Sequence, residues 1–342
     1  MPSSSATRKL LARIYGALIK ARNLLYDAGI LKARAVPGVV VSVGNVEAGG
    51  TGKTPFAMAL AAELASRGLA TCIVTRGYKG SCKDPLVVKK NHTSDEVGDE
   101  ALLMARSLSV PVIKSPDRVK GVLLARTLFD CEVVVLDDGF QHRRIGRDLD
   151  IVLVTRNVAR EELLPAGTLR EHASALKRAH HVVAMKGSGT SGLTADLKPV
   201  CLVDLRGVTA GLESLSGKRA LAFCAIGSPH HFFAMLERLG ADVDRLAFGD
   251  HHRYCIEDAV MVMDRAAGKD LVLTTEKDLV KIEPSWFTGV ANRLFAVRIA
   301  LDMPWLKDIA DEIERLAVAR SSSAEITRVA VVWRTTPSST NT

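Results

Sequence analysis

The sequence predicts an α/β protein. A parallel sheet with helices on both faces is followed by a second, smaller α/β unit, and an amphipathic helix stands in front. Three observations predict this. Short β-branched runs such as "GVVVSV" (38–43) alternate with helical segments, a pattern that sets strands parallel with helices on both faces. A second alternation of the same kind begins near Leu221. The first forty residues carry seven cations, Arg8, Lys9, Arg13, Lys20, Arg22, Lys32 and Arg34, against one acid, Asp27. With 342 residues, 47% of them hydrophobic, the chain can bury a substantial core, and its length suits two domains.

The N-terminal segment (1–36) reads as a basic helix. At about 100° per residue, Leu11, Ile14, Leu18 and Leu25 share one face, with Lys9, Arg13 and Lys20 opposite. No apolar run reaches the roughly 18 to 20 residues that span a bilayer, and no signal-peptide cleavage pattern follows one. Such a helix either lies in a membrane interface, with cations near anionic headgroups, or packs on the protein with cations in water. The residues leave both open. The net charge of +8 is concentrated in this segment, which argues against a general nucleic-acid surface.

Pro37 breaks the segment, and the core unit is expected over 37–210. "GVVVSV" is a buried strand. The helix after the glycine-rich turn accepts Pro55 in its first turn, repeats Phe56, Leu60 and Leu64, and stops at Gly68. "ATCIVT" is the next strand. Helices are expected near 99–108 and 117–129, with strands at 110–113, "EVVVL" and "DIVLVT". In the second unit (211–320), "ALAFCAIG" and "DLVLTT" read as strands and "PHHFFAMLERLG" as a helix. The Ser/Thr-rich tail (321–342) contains one strand-like run, "RVAVVW", and its end, "TTPSSTNT", reads as disordered. The six cysteines show no C-x-x-C spacing, so neither a zinc ribbon nor a disulfide framework is expected, and a reduced, cytoplasmic setting is the simplest reading.

The chemistry concentrates in two stretches. In "VSVGNVEAGGTGKTPFAMAL" a strand, a glycine-rich turn and a helix surround Gly-Lys-Thr. Gly49, Gly50, Thr51 and Gly52 would direct backbone N–H groups at phosphate, Lys53 would reach the terminal phosphates, and Thr54 would bind Mg²⁺. The usual spacing G-x-x-x-x-G-K-[ST] fails, since Glu47 stands where the first glycine belongs. The second stretch, "VVVLDDGFQHRR", matches a strand that delivers a carboxylate, Asp137 or Asp138, to the Mg²⁺ shell. Two adjacent acids at a strand end need a cation. Together the stretches predict a P-loop NTPase-like core that binds a nucleotide and Mg²⁺.

At these residues the chain resembles the tetraacyldisaccharide 4′-kinases, the lipid A kinases of Gram-negative bacteria. The resemblance rests on "VGNVEAGGTGKTP", "TRGYKG", "VGDEALLMA", "DDGFQHRR", "LPAGTLRE", "AFCAIGSPHHFF", "FGDHHRY" and "TTEKDLVKI", in the family's order across roughly 10–318. The displaced first glycine is itself a habit of that family. The resemblance implies two α/β domains with a cleft between them, and ATP- and Mg²⁺-dependent phosphorylation of the 4′-hydroxyl of an acylated glucosamine disaccharide 1-phosphate. It also implies a peripheral protein on the cytoplasmic face of the bacterial inner membrane, docked in part by the N-terminal helix on anionic lipids. It points to Asp99 of "GDE" and His251 of "DHH" as the pair that activates the acceptor hydroxyl, with His252 the near alternative. Thr75, Arg76, Gln141, His142, Arg170 and Glu171 are the residues expected at the sugar and its phosphate, and Lys277 at the nucleotide. "TRNVAREELLPAG" and Ala101 depart from the family's pattern. Two rival functions remain: a P-loop metallochaperone or GTPase-like switch, which would need a metal-binding insert, and a non-enzymatic, membrane-attached ATP sensor, which would need no acceptor base.

Overall fold

The computed structural model describes residues 4–188 and 192–335. The chain opens with α1 (Ser4–Asp27), β1 (Val39–Asn45), α2 (Lys53–Ser66), β2 (Thr71–Thr75) and β3 (Leu86–Val87). Next come α3 (Ser94–Val97), α4 (Asp99–Ser107), β4 (Val112–Lys114), α5 (Arg118–Phe129), β5 (Val133–Asp137) and β6 (Leu149–Val154). β7 (His181–Met185), β8 (Leu193–Asp204) and β9 (Thr209–Ala210) lead into the second half. That half holds β10 (Arg219–Cys224), α6 (Pro229–Arg238), β11 (Asp242–Ala247), α7 (Ile256–Arg265), β12 (Leu271–Thr275), α8 (Glu276–Leu279) and β13 (Leu294–Asp302), and α9 (Leu306–Thr335) closes the described chain.

The strands form one sheet in the order β11-β10-β12-β13-β8-β7-β6-β1-β5-β2-β4-β3, with β9 on β8. Its pairs are parallel except β13–β8, β8–β9 and β3–β4. β1 lies between β5 and β6, and all seven of its residues are buried, as a strand covered on both faces requires. β8 joins the halves. Leu193–Ala195 run parallel to β7, and Asp196–Asp204 pair antiparallel with β13.

α2 buries Phe56, Leu60 and Leu64 against the first half of the sheet. α9 follows the second half in sequence but packs on the first, through Ile309, Ala310, Ile313 and Ala317. Arg67, at the end of α2, ties the two helices together by ion pairs to Asp311 and Glu314. The strand-like run "RVAVVW" is helical instead, the continuation of α9. β propensity depends on a partner strand to pack against, and here the run simply propagates the helix before it. Residues 336–342, most of the expected disordered end, lie outside the described residues.

A second correction concerns cysteine. Cys72 on β2 and Cys131, two residues before β5, are joined by a disulfide. The bond follows from the pairing of β2 with β5, which brings together residues 59 apart in sequence with no spacing signal.

α1 has three faces. Ala12 and Gly16 are buried, and a Cβ on Gly16 would fall 2.6 Å from Leu163 Cδ1, so the helix packs closely here and any larger residue would make the Leu163 side chain shift. Leu11, Ile14, Leu18 and Leu25 are exposed, Leu18 at 67%. Lys9, Arg13 and Lys20 are exposed as well. Among the described residues no helix is long and apolar enough to cross a membrane.

Candidate active site

A cleft of about 1510 Å³ lies where the halves meet. Its floor is the carboxyl edge of the parallel sheet, where β1 and β5 end, as is usual for ligand sites in such sheets. The turn from β1 into α2 forms one wall. Gly52, at the cap of α2, has φ 82°, a left-handed conformation that glycine adopts without strain. A Cβ built on Gly50 would meet nothing within 4 Å, so the space before the turn is open to a ligand. Asn45 Nδ2 donates to Thr51 Oγ1 (2.9 Å), and Lys53 Nζ lies 3.4 Å from the same oxygen, so the turn is braced from within. Gly49, Gly50, Thr51, Gly52, Lys53 and Thr54 all line the cleft.

Glu47 explains how the turn works without its first glycine. The side chain is buried and points away from the phosphate path. Its carboxylate accepts from Thr155 N (2.8 Å) and Thr155 Oγ1 (2.6 Å), just past β6, and pairs with Arg156 at 3.2 Å. The residue is a strut between the ends of two neighbouring strands.

Opposite Lys53 stand the two aspartates. Asp138, held at φ 52°, sits 3.6 Å from Lys53 Nζ, and Arg170 Nη1 donates to both of its carboxylate oxygens at 3.0 Å. Burial pushes the Asp138 carboxyl up, but Lys53 and Arg170 outweigh that and hold it below the ordinary range. Asp137 is fully buried. Burial first, then the charges of Glu100 and Asp138, push its pKa up to about 7. Thr75 Oγ1 donates to Asp137 Oδ2 (3.0 Å), while Asp137 Oδ1 is buried with no hydrogen-bond partner. An orphaned carboxylate oxygen beside a second acid, in a cleft that Thr54 also lines, fits Mg²⁺, a hard cation that takes oxygen ligands. Among the described residues no group of three or more His, Cys, Asp or Glu is arranged to hold a metal. Mg²⁺ suits such a place, because it is commonly held by one or two carboxylates together with substrate phosphates.

The far wall comes from the second half. His251 Nδ1 lies 3.0 Å from Asp99 Oδ2, at the first residue of α4, although the two are 152 apart in sequence. Lys277 Nζ lies 3.2 Å from His251 Nε2 and 3.5 Å from Glu100 Oε1. The Tyr78 ring stands edge-on to His251, centroids 5.2 Å apart. His252 points elsewhere, to Asp258 at 2.8 Å.

Of the expected sugar-contacting residues, Thr75, Arg76, Gln141, His142 and Arg170 line the cleft, and Glu171 does not. Glu171 is buried, accepting from Asn23 (2.9 Å) and Arg178 (2.7 Å). Burial and the nearby Arg118 cation push His142 down to about 4, so its ring is neutral near pH 7, and its Nε2 is buried without a partner.

Sequence reasoning missed Arg118 and Glu100. Arg118 lies beneath the aspartates, donating to the carbonyls of Ser115 (3.0 Å) and Asp137 (3.3 Å). No motif marks it. Glu100 was visible in "GDE" beside Asp99, but its charge matters only because folding brings it close to Asp137 and Lys277.

The chain matches the family model described as tetraacyldisaccharide-1-P 4′-kinase over residues 6–315. It is 35% identical to the tetraacyldisaccharide 4′-kinase of Koribacter versatilis over 91% of this chain and 98% of that one. It is 34% identical to the enzyme of the same name from Halothermothrix orenii, over 90% of this chain and 91% of the other. Its structure is similar to the crystal structure of LpxK from Aquifex aeolicus in complex with ATP, with a TM-score of 0.76, 33% identity, and coverage of 91% of this chain and 99% of that one.

Proposed function

The chain belongs to the tetraacyldisaccharide-1-phosphate 4′-kinase family, an ATP-dependent phosphotransferase of lipid A biosynthesis, and we propose how its residues divide that reaction. The turn Gly49–Thr54 cradles the phosphates of ATP, with Lys53 on the transferred group. The apolar end of the cleft, lined by Met58 and Ala59 of α2 and by Ile299 and Leu301 of β13, suits the purine. Thr54, Asp137 and Asp138 hold Mg²⁺, which when bound neutralises charge on the phosphates.

The Asp99–His251–Lys277 chain carries the acceptor reading. An ammonium has N–H donors and no acceptor. Lys277 therefore donates to His251 Nε2, which leaves the ring proton on Nδ1 to donate to Asp99. Asp99 is thus oriented as the group that takes the proton of the 4′-hydroxyl, and His251 fixes it. Phosphoryl transfer depends chiefly on such positioning and on charge stabilisation. Arg76, Gln141 and Arg170 meet the sugar and its 1-phosphate, Arg170 by its fork, and neutral His142 offers a ring nitrogen to a hydroxyl.

The exposed apolar face of α1 and its cations dock on an anionic membrane surface, with the protein peripheral on the cytoplasmic face of the inner membrane. The test of the chemical reading is transfer of label from γ-labelled ATP, with Mg²⁺, to the detergent-dispersed disaccharide 1-phosphate. Wild type labels the lipid and Asp99→Ala does not. Equal labelling by both would sink the assignment of Asp99.

A further inference from the structure

α1 is polar where it meets the cleft. Tyr15 Oη donates to the carbonyl of Arg170 (2.8 Å). Arg22 Nη2 donates to the carbonyl of Gln141 (2.6 Å). Asn23 Nδ2 donates to Glu171 Oε2 (2.9 Å). In return Arg143 donates to the carbonyl of Asn23 (3.1 Å) and pairs with Asp27 (2.8 Å). These contacts reach across more than a hundred residues of sequence and land on two segments only, 141–143 and 170–171. The same segments hold the Arg170 guanidinium on Asp138 and bring Gln141 Nε2 to the carbonyl of Asn45 (2.6 Å), at the foot of the phosphate turn. Glu171 is only 1% exposed, and a carboxylate buried that deeply is costly unless it is paired. One of its two donors comes from α1: Arg178 supplies the countercharge and Asn23 of the helix a second hydrogen bond to the same oxygen, Oε2, directly behind the cleft.

The geometry points to α1 as a strap that sets the register of the catalytic floor, with Tyr15, Arg22 and Asn23 as positioning residues acting through Arg170 and Gln141. Tyr15 fixes the main chain of Arg170, and its neighbour Glu171 is fixed by Asn23. Those two anchors determine where the Arg170 fork meets Asp138. Arg22 does the same for Gln141. A shift of about 1 Å in such a group can cost a factor of about a hundred in rate, so one lost anchor has a measurable effect. This inference rests on the reading of Asp138 and Arg170 as parts of the phosphate site.

The test uses the full-length enzyme and detergent-dispersed tetraacyldisaccharide 1-phosphate. Tyr15→Phe keeps the ring and removes the donor. Its kcat falls about five- to tenfold while the KM for ATP stays within about twofold. Arg170→Ala keeps the carbonyl that Tyr15 binds but deletes the fork, so adding Tyr15→Phe to Arg170→Ala lowers kcat no further. Asn23→Ala behaves in the same way. A helix that merely stabilised the fold would cost the same factor in both backgrounds, and that result overturns the proposal. So does unchanged kcat in both Tyr15→Phe and Asn23→Ala. Asp138→Ala, run in parallel, separates the two readings. An active Asp138→Ala enzyme removes the site reading beneath the strap, whereas an inactive one beside normal strap variants removes the strap alone.

Discussion

Replacing Glu47 by glycine would restore the ordinary phosphate-loop spacing, yet the structure predicts harm. The Glu47 carboxylate is buried and accepts two hydrogen bonds from Thr155, at 2.8 and 2.6 Å. Hydrogen bonds to a charged group contribute about 1.5–3 kcal/mol each, and Glu47→Gly leaves both Thr155 donors unpaired. The Arg156 partner is 48% exposed, so solvent screening leaves that ion pair about 1 kcal/mol at most. A new glycine adds roughly 0.5–1 kcal/mol of backbone entropy. The sum is a loss of roughly 4–8 kcal/mol, a large share of the roughly 5–15 kcal/mol that stabilises a typical domain. Glu47→Gln, which keeps an acceptor without the charge, should lose less than half as much. Equilibrium urea unfolding measures both, as a lower midpoint at unchanged slope. ATP affinity, by isothermal titration, should not rise in Glu47→Gly, because the side chain points away from the phosphate path. A Glu47→Gly protein as stable as wild type, or one that binds ATP more tightly, would refute the strut.

Lys53→Ala and Asp138→Ala should each lower kcat about a hundredfold or more, and near-normal turnover in either would remove the phosphate-loop assignment. Asp99→Ala and His251→Ala should keep ATP binding but lose the chemical step, and the double variant should be little worse than the worse single one; multiplicative losses would show independent action. Asp137, with its pKa pushed up to about 7, holds a proton in the ligand-free fold that the unfolded chain has already lost above about pH 4. Stability without ligand therefore falls as pH rises from about 4 to about 7, while Mg²⁺ binding, which needs the ionised acid, strengthens through the same window; in Asp137→Asn both slopes should shrink, and unchanged slopes would contradict the cause. Replacing Lys9, Arg13 and Lys20 by glutamine should weaken co-sedimentation with anionic vesicles by about 1 kcal/mol per cation, and added salt should act in the same direction on wild type; equal sedimentation of the two proteins would leave α1 without a membrane role.

Much of this site was legible because its parts are local. A strand, a glycine-rich turn and a helix in direct succession position Gly49–Thr54, and a run of apolar residues ending in two acids positions Asp137 and Asp138. What the sequence could not supply are contacts made by distant segments. Glu47 read as a misplaced residue because its partner, Thr155, lies 108 positions away, just past the end of the neighbouring strand. Arg118 sits at the start of an ordinary helix, and only the close packing of α5 behind β5 turns it into the cation beneath the acids. The disulfide was hidden for the same reason, since strand pairing alone brings its cysteines together. The "RVAVVW" run failed differently: β-branched residues favour a strand only when a strand edge is available, and a helix already under way carried them along.

The two halves bring unlike residues to the cleft. The first holds the turn, Lys53 and the acids Asp99, Glu100, Asp137 and Asp138; the second brings His251 and Lys277. Without the second half the acids would face only Lys53, Arg170 and Arg118, and no group would orient Asp99. The link between the halves is one strand, β8, which changes partner and direction of pairing between Ala195 and Asp196. The Asp99–His251 distance therefore reports the register of that join as much as any property of the two side chains. With the roles proposed for Asp99 and His251, this gives a physical reason for a dyad split between the halves: activation of the hydroxyl and enclosure of ATP would depend on the same packing of the second half over the phosphate turn.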